Sequence, residues 1–282
     1  MKKNKIVDIQ KLKNSNTPFA TLTAYDFPSA QIINMLNIPL VLVGDSASMV
    51  VYGYNDTTPI EMDEMLLICK AVQRGTRKAL LVGDMPFMSY QPSVELAITN
   101  AGKFIKEGKM DAVKLEGGIE YVDRISEIIK AGIPVMGHIG LKPQSVLIDS
   151  GYKIKGKSAR GALKIYQDAI ALEKAGVFAL VLEGVPEEVA KIITQKITIP
   201  TIGIGAGCFC DGQIQVFHDV VGLLGSNVPK HASIYLDAQS AIKGALNKYQ
   251  LEVEQKKFPA GSNTINMNQQ ELALLKQKIE NL

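Results

Sequence analysis

Leu40-Val41-Leu42-Val43-Gly44-Asp45-Ser46 is the stretch on which the fold turns. Its apolar run is too short for a helix and lacks the alternation of a strand that meets water on one face. Continuous runs of this kind suit strands covered on both faces, as in a parallel sheet with helices outside. The run then stops at a glycine and hands over to two polar side chains.

Outward from residue 40 the same unit recurs. Residues 19–23 precede an amphipathic stretch at 28–36, and 40–43 precede 62–74. Residues 79–82 lead to 94–106, 112–115 lead to 119–131, and 134–136 are followed later by 162–175. Residues 179–182 lead to 187–195, 201–203 form a seventh strand, and 220–224 are predicted as the last. Gly75, Gly108, Gly132 and Gly176 stand just before strands, where a glycine past a helix end takes the left-handed conformation without strain. About eight β-then-α units fit a chain of 282 residues, which predicts an α/β fold closed as a (β/α)₈ TIM barrel.

Two segments break the rhythm. Residues 140–158 carry Gly, Pro and several lysines with weak helix signal, the profile of a lid or binding loop. Residues 235–255 have helical spacing, and the tail past Pro259 is polar, then helical again. The expected organisation is one catalytic barrel over residues 1–260 and a polar C-terminal extension over 261–282.

Composition narrows the class. Hydrophobic residues make up 46% of the chain, enough for a sizeable core, and the net charge is +3 without a dense basic run. Nucleic-acid binders concentrate basic charge in a stripe, so that class is not expected. The three cysteines, Cys69, Cys208 and Cys210, are sparse and odd in number, which points to free thiols in a reducing compartment and a cytoplasmic protein. The N-terminal 16 residues are basic and polar, unlike a signal peptide, and no membrane partner is expected.

Polar residues recur where strands end. Asp45 and Ser46 follow Leu-Val-Gly, Asp84 follows a second Leu-Val-Gly, and Lys114 and Glu116 flank Leu115. His138 follows Val-Met-Gly and Glu183 follows Leu-Val-Leu. Each has an ordinary reading: helix N-cap for the aspartates, helix-terminal charge for Glu116, a buried structural imidazole for His138, a barrel ion pair for Lys114. In a barrel, however, strand ends converge on one face. So much charge at one place needs a cation among the carboxylates. Oxygen ligands from Asp45, Asp84 and Glu116, without a histidine pair or thiolates, suit Mg²⁺. Lys114 adds positive charge for an anionic substrate, and Glu183 remains free to move a proton. A divalent ion chelated by a 2-oxo acid polarises its carbonyl and stabilises an enolate. These residue types therefore reach enolate chemistry on a small oxo acid, without naming the electrophile.

At the same residues the chain resembles the ketopantoate hydroxymethyltransferase family. The resemblance is carried in order by Thr23-Ala-Tyr-Asp26, Val43-Gly-Asp-Ser46, Val82-Gly-Asp-Met-Pro-Phe87, Val113-Lys-Leu-Glu-Gly-Gly118, Gly137-His-Ile-Gly-Leu-Lys-Pro143, and Ile202-Gly-Ile-Gly-Ala-Gly207 leading to Cys210-Asp-Gly-Gln213. It implies a barrel of the phosphoenolpyruvate mutase/isocitrate lyase type. It implies Asp45 and Asp84 as Mg²⁺ ligands, with Glu116 as the outer carboxylate of the metal site. Ser46 and Lys114 would contact the oxo acid, His138 would line the same pocket, and Glu183 would accept the proton. The resemblance further implies 5,10-methylenetetrahydrofolate as co-substrate, 3-methyl-2-oxobutanoate as acceptor, 2-dehydropantoate as product, and a homo-oligomer, typically a decamer. Departures lie at His231-Ala-Ser-Ile-Tyr235 and in the tail from Asn263.

Two rival functions remain open to the sequence. A Mg²⁺-dependent oxo-acid lyase of the isocitrate lyase type would carry a cysteine in the fourth or fifth loop, where this chain has none. A barrel that merely binds an anionic metabolite would have no use for Glu183. The Gly203-Ile-Gly-Ala-Gly207 loop fails the G-x-G-x-x-G spacing and is expected to allow close backbone approach instead.

Overall fold

Seven of the predicted strands form where expected: β1 Phe19–Thr23, β2 Leu40–Val43, β3 Leu80–Asp84, β4 Ala112–Glu116, β5 Val135–Gly140, β6 Ala179–Glu183 and β7 Thr201–Ile204. The eighth, β8, is Gly212–Gln215. The computed structural model describes residues 2–15, 17–225 and 228–282. All strands run parallel and pair in chain order, and Phe19 to Leu22 of β1 pair with Gly212 to Gln215 of β8, closing the barrel. The helices are α1 Ile6–Lys11, α2 Phe27–Met35, α3 Ala47–Val50, α4 Met62–Gly75, α5 Val94–Lys106, α6 Val122–Lys130, α7 Ala159–Ala175, α8 Glu187–Lys196, α9 Phe217–Val220, α10 Ala238–Glu254 and α11 Gln269–Glu280.

Strand periodicity explains the continuous apolar runs. Side chains alternate across a strand, so Leu40, Leu42, Leu80, Val82, Met136 and Val181 fill the barrel interior. Their neighbours Val41, Val43, Leu81, Val113, Val135 and Leu180 pack outward against the helices. Both faces are buried, and both are apolar. Ile9 of α1 joins the interior cluster, with Ile6 and Leu12 beside it, while Asn4 Nδ2 donates to the Pro39 carbonyl just before β2. The N-terminal segment therefore closes the end of the barrel where the strands begin. The other end is left to polar residues: by the same parity Asp84, Lys114, Glu116, His138 and Glu183 face inward at the strands' C-terminal ends.

The structure corrects two expectations. Residues 220–224, predicted as the last strand, form the end of α9 and a turn. The true β8, Gly212-Gln-Ile-Gln215, alternates polar with apolar and so lacks the continuous run that marks the other strands. Of the four helix-ending glycines, Gly132 and Gly176 take positive φ (+89° and +98°) as expected. Gly75 instead closes a helix contact, since a Cβ there would lie 2.7 Å from both Ala30 Cβ and the Phe27 carbonyl oxygen. After α5 the left-handed residue is Lys109 (φ +57°) rather than Gly108.

The chain divides into two compact units, Met1–Leu236 and Asp237–Leu282. The second contains α10 and α11, so the helical stretch before residue 260, expected within the barrel domain, belongs to the C-terminal unit. Among the described residues no helix is long and apolar enough to cross a membrane.

Candidate active site

The strand ends predicted to converge do converge. A cavity of about 470 Å³ opens at the C-terminal mouth of the barrel, lined on one side by Asp45, Ser46, Asp84, Lys114, Glu116 and His138. Glu183 of β6 lines it too. Every candidate residue named from the sequence reaches this one cavity.

Lys114 anchors the cluster. Its Nζ lies 2.6 Å from Asp84 Oδ1 and 3.8 Å from Glu116 Oε1, and all three side chains are buried. Burial works against the ammonium charge, but Asp84, Glu116 and Asp45 outweigh it and hold the lysine above its ordinary pKa. The other oxygen of Asp84, Oδ2, accepts the backbone N–H of Asp45 at 3.2 Å, which locks the two strand ends together. Burial pushes the Asp45 carboxyl well up, and neighbouring Asp84 pushes it further; Asp84 is itself raised, by burial first and against the pull of Lys114.

His138 joins the cluster to Glu183. Its Nδ1 stands 3.5 Å from Glu116 Oε1 and its Nε2 3.2 Å from Glu183 Oε2. The ring is buried, which disfavours its charge, as does Lys114, yet Glu116 and Glu183 together push its pKa up to about 9. Glu116 is held below the usual carboxylate range: burial opposes this, but His138, Lys114 and the Gln144 N–H outweigh it. The ordinary readings of these residues are partly right, since Lys114 does form a barrel ion pair. None of the carboxylates serves as a helix cap. Ser46 leads directly into the short α3, which the sequence did not reveal, and ahead of α6 it is Asp168 Oδ1, not Glu116, that accepts the Ile119 N–H.

Several site residues escaped the sequence reading. Gln144, in the predicted loop, donates from Nε2 to Asp45 Oδ2 (2.8 Å) and to the Met85 carbonyl (2.9 Å), and from its backbone to Glu116 Oε2 (3.1 Å). Tyr90 Oη lies 2.9 Å from Gln144 Oε1 and 3.0 Å from the Glu116 carbonyl, and its single proton serves either acceptor. Tyr25 Oη shares a 2.8 Å hydrogen bond with Ser46 Oγ. Thr23, Gln215, Asp219 and His231 line the far side of the cavity, at the ends of β1 and β8 and beyond. The misplaced last strand concealed that side. The alternation at 212–215 was the available signal.

Loop 140–158 does build the site: Leu141, Pro143, Tyr152 and Ile154 line the cavity. The glycine loop acts through close approach. Gly205 (φ +62°) brings its backbone so near His231 that a Cβ added at the glycine would lie 3.1 Å from the histidine Cβ. The cysteines stand apart. Cys69 is buried in α4 and Cys210 is buried behind β7, while exposed Cys208 donates to Glu187 Oε1 at 3.3 Å.

The donor set suits a hard cation. Asp45 and Asp84 present buried carboxylates whose charge is disfavoured by burial and by a neighbouring carboxylate, Asp84 for Asp45 and Glu116 for Asp84, the situation a divalent ion relieves. Glu116 Oε1 is buried without a hydrogen-bond partner among the described residues. Those residues contain no ready-made cage of three or more His, Cys, Asp or Glu ligands, and Lys114 stands among the carboxylates instead. Mg²⁺ typically uses one or two protein carboxylates and completes its shell with substrate and water, so the residues fit this ion.

Comparison with known proteins agrees with this geometry. A family model described as ketopantoate hydroxymethyltransferase matches residues 3–261. A 3-methyl-2-oxobutanoate hydroxymethyltransferase of Dehalococcoides mccartyi strain CBDB1 is 50% identical over 271 residues, covering 96% of this chain and 97% of its own. The protein of that name from Clostridium beijerinckii is 45% identical over 273 residues, covering 97% and 99%. Among solved structures, phosphonopyruvate hydrolase in complex with oxalate and Mg²⁺ superposes with a TM-score of 0.60 at 11% identity, covering 99% of this chain and 97% of the other. A 2,3-dimethylmalate lyase of the phosphoenolpyruvate mutase/isocitrate lyase superfamily gives 0.57 at 14% identity, covering 98% and 96%. These two share the fold.

Proposed function

We propose, from the premise that the chain belongs to the ketopantoate hydroxymethyltransferase family and is a hydroxymethyltransferase, that its donor is 5,10-methylenetetrahydrofolate and its acceptor 3-methyl-2-oxobutanoate. The product is 2-dehydropantoate, on the route to pantothenate and coenzyme A, and the enzyme works as a cytosolic homo-oligomer. One observation carries the chemistry. Glu183, its side chain 17% exposed, shares a cavity with the sealed Asp45–Asp84–Lys114 cluster, and β6 stands opposite β2 in the barrel order.

Asp45 and Asp84 would hold Mg²⁺, with Glu116 behind them; the phosphonopyruvate hydrolase neighbour, which binds oxalate and Mg²⁺, supports such a use of this fold. When bound, the ion would polarise the 2-oxo carbonyl and offset the negative charge that grows on its oxygen. Lys114 and Ser46 orient the acid, Lys114 by charge and Ser46 through a hydroxyl held by Tyr25. Glu183 removes the proton from C3, and the C–H electron pair moves toward the carbonyl. C3 then bonds to the methylene carbon of the donor, whose carbon–nitrogen bonds break. Water supplies the product hydroxyl, and the two nitrogens released from the methylene carbon each gain a proton, one that came from C3 by way of Glu183 and one from that water, as tetrahydrofolate leaves. His138, 3.2 Å from Glu183 Oε2, stabilises that carboxylate as a base.

The deciding experiment is proton exchange. In D₂O with Mg²⁺ and tetrahydrofolate, the protein should exchange the C3 proton of 3-methyl-2-oxobutanoate, followed by NMR. Glu183→Gln should slow this by about 10²–10⁴-fold, the range for loss of a positioned base, while Mg²⁺ and the oxo acid still bind. Exchange at the wild-type rate in that variant would remove Glu183 from the role.

A further inference from the structure

The acid cluster uses half of the cavity. Its residues come from β2 to β5, with Glu183 on β6, whereas the opposite wall belongs to the ends of β7, β8 and β1. That wall is of a different character: Ile204, Ile214, Val216 and Pro229 give it an apolar surface. At about 470 Å³ the whole space lies in the range of roughly 300–1,000 Å³ that encloses drug-sized ligands, more than a five-carbon acid fills.

Two acceptors are set into this wall. Asp219, in α9 just after β8, is 5% exposed and lines the cavity, and among the described residues no hydrogen bond reaches its carboxylate. Gln215 Oε1 is buried and likewise has no partner among those residues. The nearby Thr23 hydroxyl is engaged, accepting the Phe217 N–H at 3.0 Å. The Asp219 carboxylate opens to the cavity with no protein donor among the described residues to satisfy it, so this wall suits a ligand that brings N–H groups. A carboxylate accepts two parallel N–H bonds from a planar group, and such paired, charge-assisted bonds are the strong ones.

We propose that the wall formed by β7, β8 and β1 binds the donor's heterocycle, with Asp219 accepting from the 2-amino group and adjacent ring N–H of a pteridine and Ile204, Ile214 and Val216 covering its faces. The inference rests on the folate-dependent transfer proposed above. It assigns the two substrates to opposite sides of one mouth: the oxo acid on the charged side, the flat ring on the apolar side, and Glu183 at the boundary. It also gives the Gly205–His231 contact a purpose, because that contact closes the apolar wall beside Gln215, whose Nε2 donates to the His231 carbonyl at 3.4 Å.

The test uses the full-length protein and compares both substrates in Asp219→Asn. The KM for methylenetetrahydrofolate should rise about tenfold or more, the loss of a charge-assisted pair, while the KM for 3-methyl-2-oxobutanoate moves by less than about twofold. A ligand change in the unmodified protein provides an arm that needs no variant. By fluorescence titration, tetrahydrofolate should bind about tenfold or more tightly than its 2-desamino-2-methyl analogue, and Asp219→Asn should bind the two alike. A purely structural Asp219, serving the start of α9, would leave that discrimination intact. Equal binding of the two ligands by the unmodified protein, or an unchanged donor KM in the variant, would overturn the assignment alone. Failure of the unmodified protein to turn over methylenetetrahydrofolate would overturn the function proposed above and this assignment with it.

Discussion

Removing the Gln144 side chain, as in Gln144→Ala, should weaken both the fold and the metal site. The amide makes four side-chain hydrogen bonds in a buried position: to Asp45 Oδ2 and the Met85 carbonyl from Nε2, and from Tyr90 Oη and Gln91 Nε2 to Oε1. Tyr90 keeps its second acceptor, the Glu116 carbonyl, and Gln91 is partly exposed and can turn to water. Asp45 and Met85 are the losers. A hydrogen bond to a charged group is worth about 1.5–3 kcal/mol, and a buried carbonyl left without a donor costs about 1–3 kcal/mol. The polar space left by truncation can admit a water, which recovers part of this. A net loss of about 2–4 kcal/mol follows, read as a Tm lowered by roughly 5–15 °C in a domain of this size. Asp45 also loses the group that orients it, and outer-shell losses typically cost about 10–100-fold in metal affinity. Thermal melts, with Mg²⁺ titrated calorimetrically in the presence of the oxo acid, measure both effects. A Tm within about 2 °C of the parent together with unchanged Mg²⁺ affinity would refute the view that Gln144 organises this end of the barrel.

Gly83→Ala should destabilise by about 1–3 kcal/mol through overpacking, because its Cβ would lie 2.4 Å from Phe104 Cδ1, and Phe104 is fully buried. Urea denaturation measures the loss, and Phe104→Leu in the same chain should recover part of it; no destabilisation would mean that α5 can shift. Asp84→Ala should lower Mg²⁺ affinity by more than the roughly 10–100-fold typical of outer-shell losses, while leaving Lys114 buried without its 2.6 Å partner. Calorimetric titration showing parental Mg²⁺ affinity would take Asp84 out of the coordination shell.

Local composition was enough to mark the strands whose two faces are both apolar, and with them the barrel. Runs such as Leu40 to Val43 and Ala179 to Leu182 suit a sheet covered on both sides, and their shortness argues against a helix. The position of each strand end, and hence Asp45, Asp84, Lys114, Glu116, His138 and Glu183, could be read from the same runs. What those residues meet depends on the assembled barrel. Lys114 chooses Asp84 over Glu116 because β3 and β4 are paired with Asp84 opposite Lys114, and no local pattern records a register. Gln144 and Tyr90 lie in segments with weak periodicity, and they enter the site because the closed barrel brings their loops over one mouth. The far wall was hidden for a related reason. β8 faces the apolar interior with Ile214 and places partly exposed glutamines on either side of it, so its pattern resembles a loop until pairing with β1 shows it to be a strand. Burial on two faces leaves a mark in composition; pairing across the barrel leaves none, because it depends on residues distant in the chain.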